Sequence, residues 1–165
     1  MAIELRSVTP EDWQQIRELR IRMIEDTPIA YAETAESARA HSEVEWRARG
    51  ERGQASHSLT IVAIDETGAW IGTMSGFVHT EHGPLLVGVF VAPEVRGRRH
   101  GVAGALLSRV EEWARGEGET LTLAVHEDNA RAIAFYERCG FIATGETEVY
   151  PLPPHGSEIV MRKPL

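Results

Sequence analysis

The stretch VFVAPEVRGRRHGVAGALLSRVEEWA, residues 89–114, restricts the folds open to this chain more than any other. An apolar strand leads through a loop crowded with Arg and Gly into an amphipathic helix, and a further strand, ETLTLAVH at 119–126, follows. A strand–helix–strand crossover of this kind is almost always right-handed and makes its two strands parallel. Val102, Leu106, Val110 and Trp113 recur at spacings of four, four and three, which marks the buried stripe of the helix. In the following strand Leu121, Leu123 and Val125 alternate with Thr122, Ala124 and His126. The strand before the loop, Leu85 to Val91, is apolar on both faces, as expected of a central strand covered on each side.

The remaining elements assemble around this unit. IELRSV alternates as a first strand, and Thr9 caps a first helix running from about Pro10 to Glu25, with Trp13, Ile16, Leu19 and Met23 facing inward. DTPIAYAET breaks it. A more polar helical stretch follows, roughly Ala35 to Arg52, held by Val44 and Trp46 over the surface. Residues 57–92 read as three antiparallel strands with turns at DETG and TEHG. A short helix opens with Asp128 or Asn129 as cap and closes at Gly140, and two last strands flank the loop PLPPHG. With 42% hydrophobic residues among 165, and no repeats or linkers, one domain over residues 1–165 is expected. Its class is α/β (α+β), a sandwich about a mixed sheet.

Charge narrows the chemistry of the loop. Arg96, Arg98, Arg99 and His100 cluster in a chain of formal net charge -8. Affinity for nucleic acid normally shows as a basic domain with interleaved aromatics, so a focused site for a small anion fits better. The helix beginning near Gly101 offers unpaired N–H groups and the positive end of its dipole, and small residues at 101, 103 and 104 let a phosphate approach the backbone. No Gly-Lys-Ser/Thr ending supports a nucleotide P-loop, and no Gly-x-Gly-x-x-Gly supports a dinucleotide site. Cys139 is the lone cysteine, which excludes an intrachain disulfide and a Cys-rich metal centre. Met1 to Trp13 has no secretory pattern and no apolar run approaches ~20 residues, so a cytoplasmic protein without membrane or metal is expected. Asn129 and Tyr136, seven residues apart, share one face of their helix, and a Tyr hydroxyl there is able to donate a proton at neutral pH.

Together, VFVAPEVRGRRHGVAGALL and LAVHEDNARAIAFYERCGF resemble the GCN5-related N-acetyltransferase (GNAT) superfamily, and the order of elements agrees across nearly the whole chain. The resemblance implies a mostly antiparallel sheet of about seven strands, with parallel fourth and fifth strands splayed apart, flanked by about four helices. It implies direct transfer of acetyl from acetyl-CoA to a primary amine. Arg98, Gly101 and Ala103 match the pyrophosphate loop, with Arg96, Arg99, His100, Val102 and Gly104 beside them. Counted from Pro93 the loop is two residues longer than usual, which leaves Arg96 and Gly97 as an apparent insertion. Phe90 and Val91 match the strand that binds pantetheine, and an amide near Val89 the group that polarises the thioester carbonyl. Asn129 matches a contact to the cofactor arm and Tyr136 the acid for the departing thiolate.

Many relatives carry a Glu on the fourth strand to accept the amine proton, and LLVGVFV has none. A base near neutral pKa suits the task, so His126 is the first candidate, ahead of Glu33, His79, Glu81, His82 or water. The acceptor pocket is expected from TPIAYAETAE, the second helical stretch and YPLPPHG, lined by Tyr31, Glu33, Tyr150 and His155. Net acidity favours cationic acceptors such as polyamines, aminoglycosides or basic peptides. Homodimers are common in the family. The alternative function is a non-catalytic acyl-CoA sensor or regulatory module.

Overall fold

The computed structural model describes residues 2–165. Its strands are β1 (Ile3–Ser7), β2 (Ser58–Asp65), β3 (Trp70–His79), β4 (Gly83–Val91), β5 (Thr120–His126), β6 (Ile142–Val149) and β7 (Ser157–Pro164). They form one sheet in the order β1-β2-β3-β4-β5-β7-β6. Every neighbouring pair is antiparallel except β4 and β5, which the crossover helix makes parallel. The helices are α1 (Trp13–Asp26), α2 (Ala35–Ala40), α3 (Glu43–Glu51), α4 (Val102–Arg115) and α5 (Ala130–Arg138). The mixed, mostly antiparallel sheet and its flanking helices match the expected architecture.

Local chemistry sets the helix ends. Pro10–Asp12 forms a 3-10 turn, and the Asp12 carboxylate accepts the Thr9 N–H at 2.9 Å while pairing with Arg6, so α1 starts only at Trp13. The second helical stretch is two helices rather than one. At His41–Ser42 the backbone turns extended, and Ser42 and Glu45 close a reciprocal capping box that starts α3 afresh. Trp46 is fully buried with Ala38 and Ile24, but Val44 is 76% exposed and anchors nothing.

The two faces of the sheet are covered differently. On one lies α4, drawn close at Gly76, where a Cβ would stand 2.4 Å from the Trp113 ring and only glycine admits the helix. On the same face, Tyr136 of α5 packs against Phe141, and Lys163 of β7 reaches Glu111 of α4. The opposite face carries α1 to α3. Side-chain alternation turns Ser75, Thr122, Ala124, His126 and Glu158 toward it.

β4 and β5 separate almost at once. Their register holds a single pair, Leu85 with Thr122. Between the pairs Thr73–Phe90 and Ser75–Val87, β3 has one residue where β4 has two, Gly88 and Val89. Gly88 takes φ +59, the left-handed region that glycine enters without strain. A bulge of this kind bends its strand, and here it turns β4 away from β5. The gap opens into a cleft of about 1550 Å³ reaching both faces of the sheet.

Candidate active site

At one mouth of the cleft is the Arg/Gly loop. Gly97 and Gly101 take φ +103 and +68, so the chain coils tightly and enters α4 with its amides turned outward. The first helical bond runs from the Ala105 N–H to the Gly101 carbonyl at 3.0 Å. Among the described residues, the N–H groups of Arg98, Arg99, Gly101, Val102, Ala103 and Gly104 meet no acceptor. Such a nest, beside the positive end of a helix of 14 residues, is built for an oxyanion.

The loop's arginines divide in role. Arg96 donates from Nε to the Val91 carbonyl at 2.8 Å and pairs with Asp26 at the end of α1, which ties the loop to the opposite layer. It still lines the cleft. Arg98 and Arg99 are exposed and bonded to nothing among the described residues, which leaves both guanidinium groups open to a ligand. Arg96 thus braces β4 against α1.

Deeper in, Val89, Phe90, Val91, Ala103 and Asn129 line the wall. Beyond Leu85 the β4 edge that would pair with β5 has no strand beside it. The Val89 carbonyl accepts the Tyr31 hydroxyl at 2.8 Å, which fixes the bulge from the α1 side. Asn129 caps α5 by accepting the Ala132 N–H at 3.3 Å. Tyr136, one helical face further on, is 7% exposed and its hydroxyl makes no hydrogen bond among the described residues. Burial raises its pKa, so it stays a proton donor.

The residues expected on the acceptor side lie in different settings. His126 is 1% exposed and both ring nitrogens are engaged: Nδ1 accepts the Asp128 N–H at 3.0 Å, and Nε2 lies 2.6 Å from the His155 carbonyl. His126 lies in the cleft wall, but with both ring nitrogens engaged it serves as a post that holds the β6–β7 loop. Tyr150 and His155 do not line the cleft. The Tyr150 hydroxyl accepts the Ala32 N–H at 3.2 Å and donates to the Pro28 carbonyl at 3.3 Å, stitching that loop to the one between α1 and α2. Glu33 does line the cleft, but Arg20, Arg49 and His41 all bond its oxygens. Burial alone would raise its pKa, and the two arginines outweigh that and hold it at about 2, too weak a base for an ammonium.

Other residues take their places. Arg20 and Glu158 line the cleft on the α1 face, together with Glu148. Glu158 stands opposite both His126 and Glu148 in the sheet, and burial, followed by the Glu148 charge, raises its carboxyl pKa. Its place in SEIVMRKPL marks it as a strand residue, but which face it takes depends on the pairing with β5.

Comparison with known proteins agrees with this geometry. The acetyltransferase (GNAT) family profile matches residues 13–141. A peptidyl-lysine N-acetyltransferase, YjaB of Salmonella typhimurium, is 37% identical over 70 residues, and that match covers 39% of this chain and 44% of the relative's length. The PaiA N-acetyltransferase of Thermoplasma acidophilum, solved with coenzyme A, superposes with a TM-score of 0.79 at 22% identity, over 100% of both chains. A phosphinothricin acetyltransferase of Sinorhizobium meliloti, solved with acetyl-CoA, gives 0.77 at 24% identity over 100% of this chain and 89% of the other.

Proposed function

The chain belongs to the acetyltransferase (GNAT) family, and from that premise we propose that residues 1–165 act as one enzyme domain transferring acetyl from acetyl-CoA to a primary amine. The observation that carries this is the row of unpaired amides at the head of α4 opening onto the gap between β4 and β5. The unpaired amides of Arg98, Arg99 and Gly101 to Gly104, with the Arg98 and Arg99 side chains, hold the diphosphate. The unpaired edge of β4 receives the pantetheine arm as a neighbouring strand would be received. An amide near Val89 polarises the thioester carbonyl.

Bound in this way, the cosubstrate supplies an activated acetyl group, and the chain's residues move two protons. Glu158, directly or through water, takes one from the acceptor ammonium, for which its raised pKa suits it better than an ordinary carboxylate, and the neutral amine then attacks. The C–N bond forms, the C–S bond breaks, Tyr136 gives its hydroxyl proton to the departing thiolate, and the second proton released from the new C–N nitrogen passes through water to restore the hydroxyl. No covalent enzyme intermediate is required. Cys139 is half-buried at the end of α5, and burial raises its pKa, which suits packing rather than attack. No described helix is long and apolar enough to cross a membrane. A cytoplasmic place, where acetyl-CoA is held, and a homodimer both accord with this reading.

The test is acceptor-dependent release of CoA thiol from acetyl-CoA over a panel of amines, beside calorimetric binding of acetyl-CoA. Release with any amine class supports the transferase. Binding without release across the panel favours the sensor alternative.

A further inference from the structure

We infer, resting on the transferase reading above, that the acceptor amine also carries a carboxylate, which Arg20 receives: the substrate is a free amino acid or a close zwitterionic relative. Arg20 projects from α1 into the cleft with its side chain 21% exposed. Nε donates to Glu33 Oε1 at 2.7 Å, Nη2 donates to the Tyr31 carbonyl at 3.3 Å, and the guanidinium lies 5.1 Å from the Tyr31 ring centre. These contacts fix its plane. Nη1 has no acceptor among the described residues, and it stands 4.0 Å from where a Cβ on Gly88 would be. It therefore overlooks the β4 bulge, beside the place given to the thioester carbonyl.

An arginine is always charged, and its fork geometry matches a carboxylate. A donor left free in a partly dry cleft wants an anion. The local charge agrees, because Glu33 supplies one negative charge against two positive ones from Arg20 and Arg49. This corner is thus cationic although the whole chain carries -8, and the cationic acceptors suggested by total charge would be repelled here. The Ser75 and Thr60 hydroxyls, 2.9 Å apart, add polar atoms to the same wall.

Across the basin, on the same sheet face, stand Glu148 and Glu158. The basin is polarised, with Arg20 on one wall and carboxylates on the other. A molecule bearing an ammonium and a carboxylate fits that field in one orientation, amine toward the gap and acid toward α1. A polyamine would set a second cation against Arg20, and a lysine within a peptide would bring only neutral backbone.

The experiment is thiol release with each proteinogenic L-amino acid and its α-amide, alongside spermidine and a lysine peptide with blocked ends. At least one amino acid should exceed its amide about 10- to 100-fold in kcat/KM, the range of one charge-assisted pair. Arg20→Met should abolish that preference, chiefly through KM, while the Kd for acetyl-CoA is unchanged. Arg20→Lys keeps a charge beside Glu33 without the fork and guards against loss of fold; it too should discriminate poorly. Preference for an amide, spermidine or the blocked peptide overturns the inference and leaves the transferase standing. Silence from every acceptor while acetyl-CoA binds also overturns it. Failure to bind acetyl-CoA removes the transferase reading and this inference together.

Discussion

Tyr136 owes its proposed role to where it is buried. Phe135 and Phe141 flank its ring, the surroundings disfavour the phenolate, and the hydroxyl is left to the cleft. Tyr136→Phe preserves the packed ring and removes only the proton donor. Turnover should fall about 100-fold, the scale of a lost general acid, with the Kd for acetyl-CoA within about twofold by calorimetry. Unchanged turnover would take the role away from this residue. Gly101 is the second single position on which the site rests. No heavy atom lies within 4 Å of a Cβ built there, so Gly101→Ala meets no clash. The cost is conformational, because φ +68 charges an L side chain about 1–2 kcal/mol. That strain falls on the backbone that presents the unpaired amides. A modest fall in Tm with an acetyl-CoA Kd weakened about tenfold is expected; a Kd equal to wild type would mean that the diphosphate lies elsewhere.

The connection between α1 and α2 is held as firmly as a helix, without being one. Tyr31 bonds to β4, Tyr150 reaches across from the end of β6, and Glu33 gathers Arg20, Arg49 and His41 from three neighbouring segments. The Glu33 pKa of about 2, below the ordinary 4.5, sets the sign of its pH dependence. A carboxyl lowered by folding stabilises fully above about pH 4.5 and loses that contribution as pH falls toward 2. Glu33→Gln should therefore cost roughly 3 kcal/mol at pH 7, as expected when one partner leaves a largely buried ion pair. Thermal melts at stepped pH should show the deficit shrinking between pH 5 and 2.5. A constant deficit over that range would show that packing, and not charge, is what Glu33 supplies. Nothing local in DTPIAYAET announces this cluster. Its aromatic and acidic residues acquire meaning only once α1, α3 and β4 surround them.

For the molecule as a whole, the sequence was legible wherever function depends on backbone. The stripe Val102–Leu106–Val110 and the alternation in TLTLAVH fixed the crossover, and the small residues at 101, 103 and 104 marked the amide nest. It was opaque wherever function depends on register. Whether His126 or Glu158 offers a free atom to the cleft follows from how β5 pairs with β7, and what Arg20 overlooks follows from an extra residue in β4. Composition is silent here for a similar reason, since a total of -8 says nothing about the sign at one wall. Val44 and Trp46, two residues and so about 200° apart around α3, cannot share a face, and only Trp46 turns inward. The parting of β4 from β5 reaches further than the site. Sharing a single backbone pair, β1–β4 and β5–β7–β6 form two plates joined at one end of a seam, and on the proposed function a guest lying in the gap serves as a temporary eighth strand. Each turnover then completes the sheet and leaves it parted again.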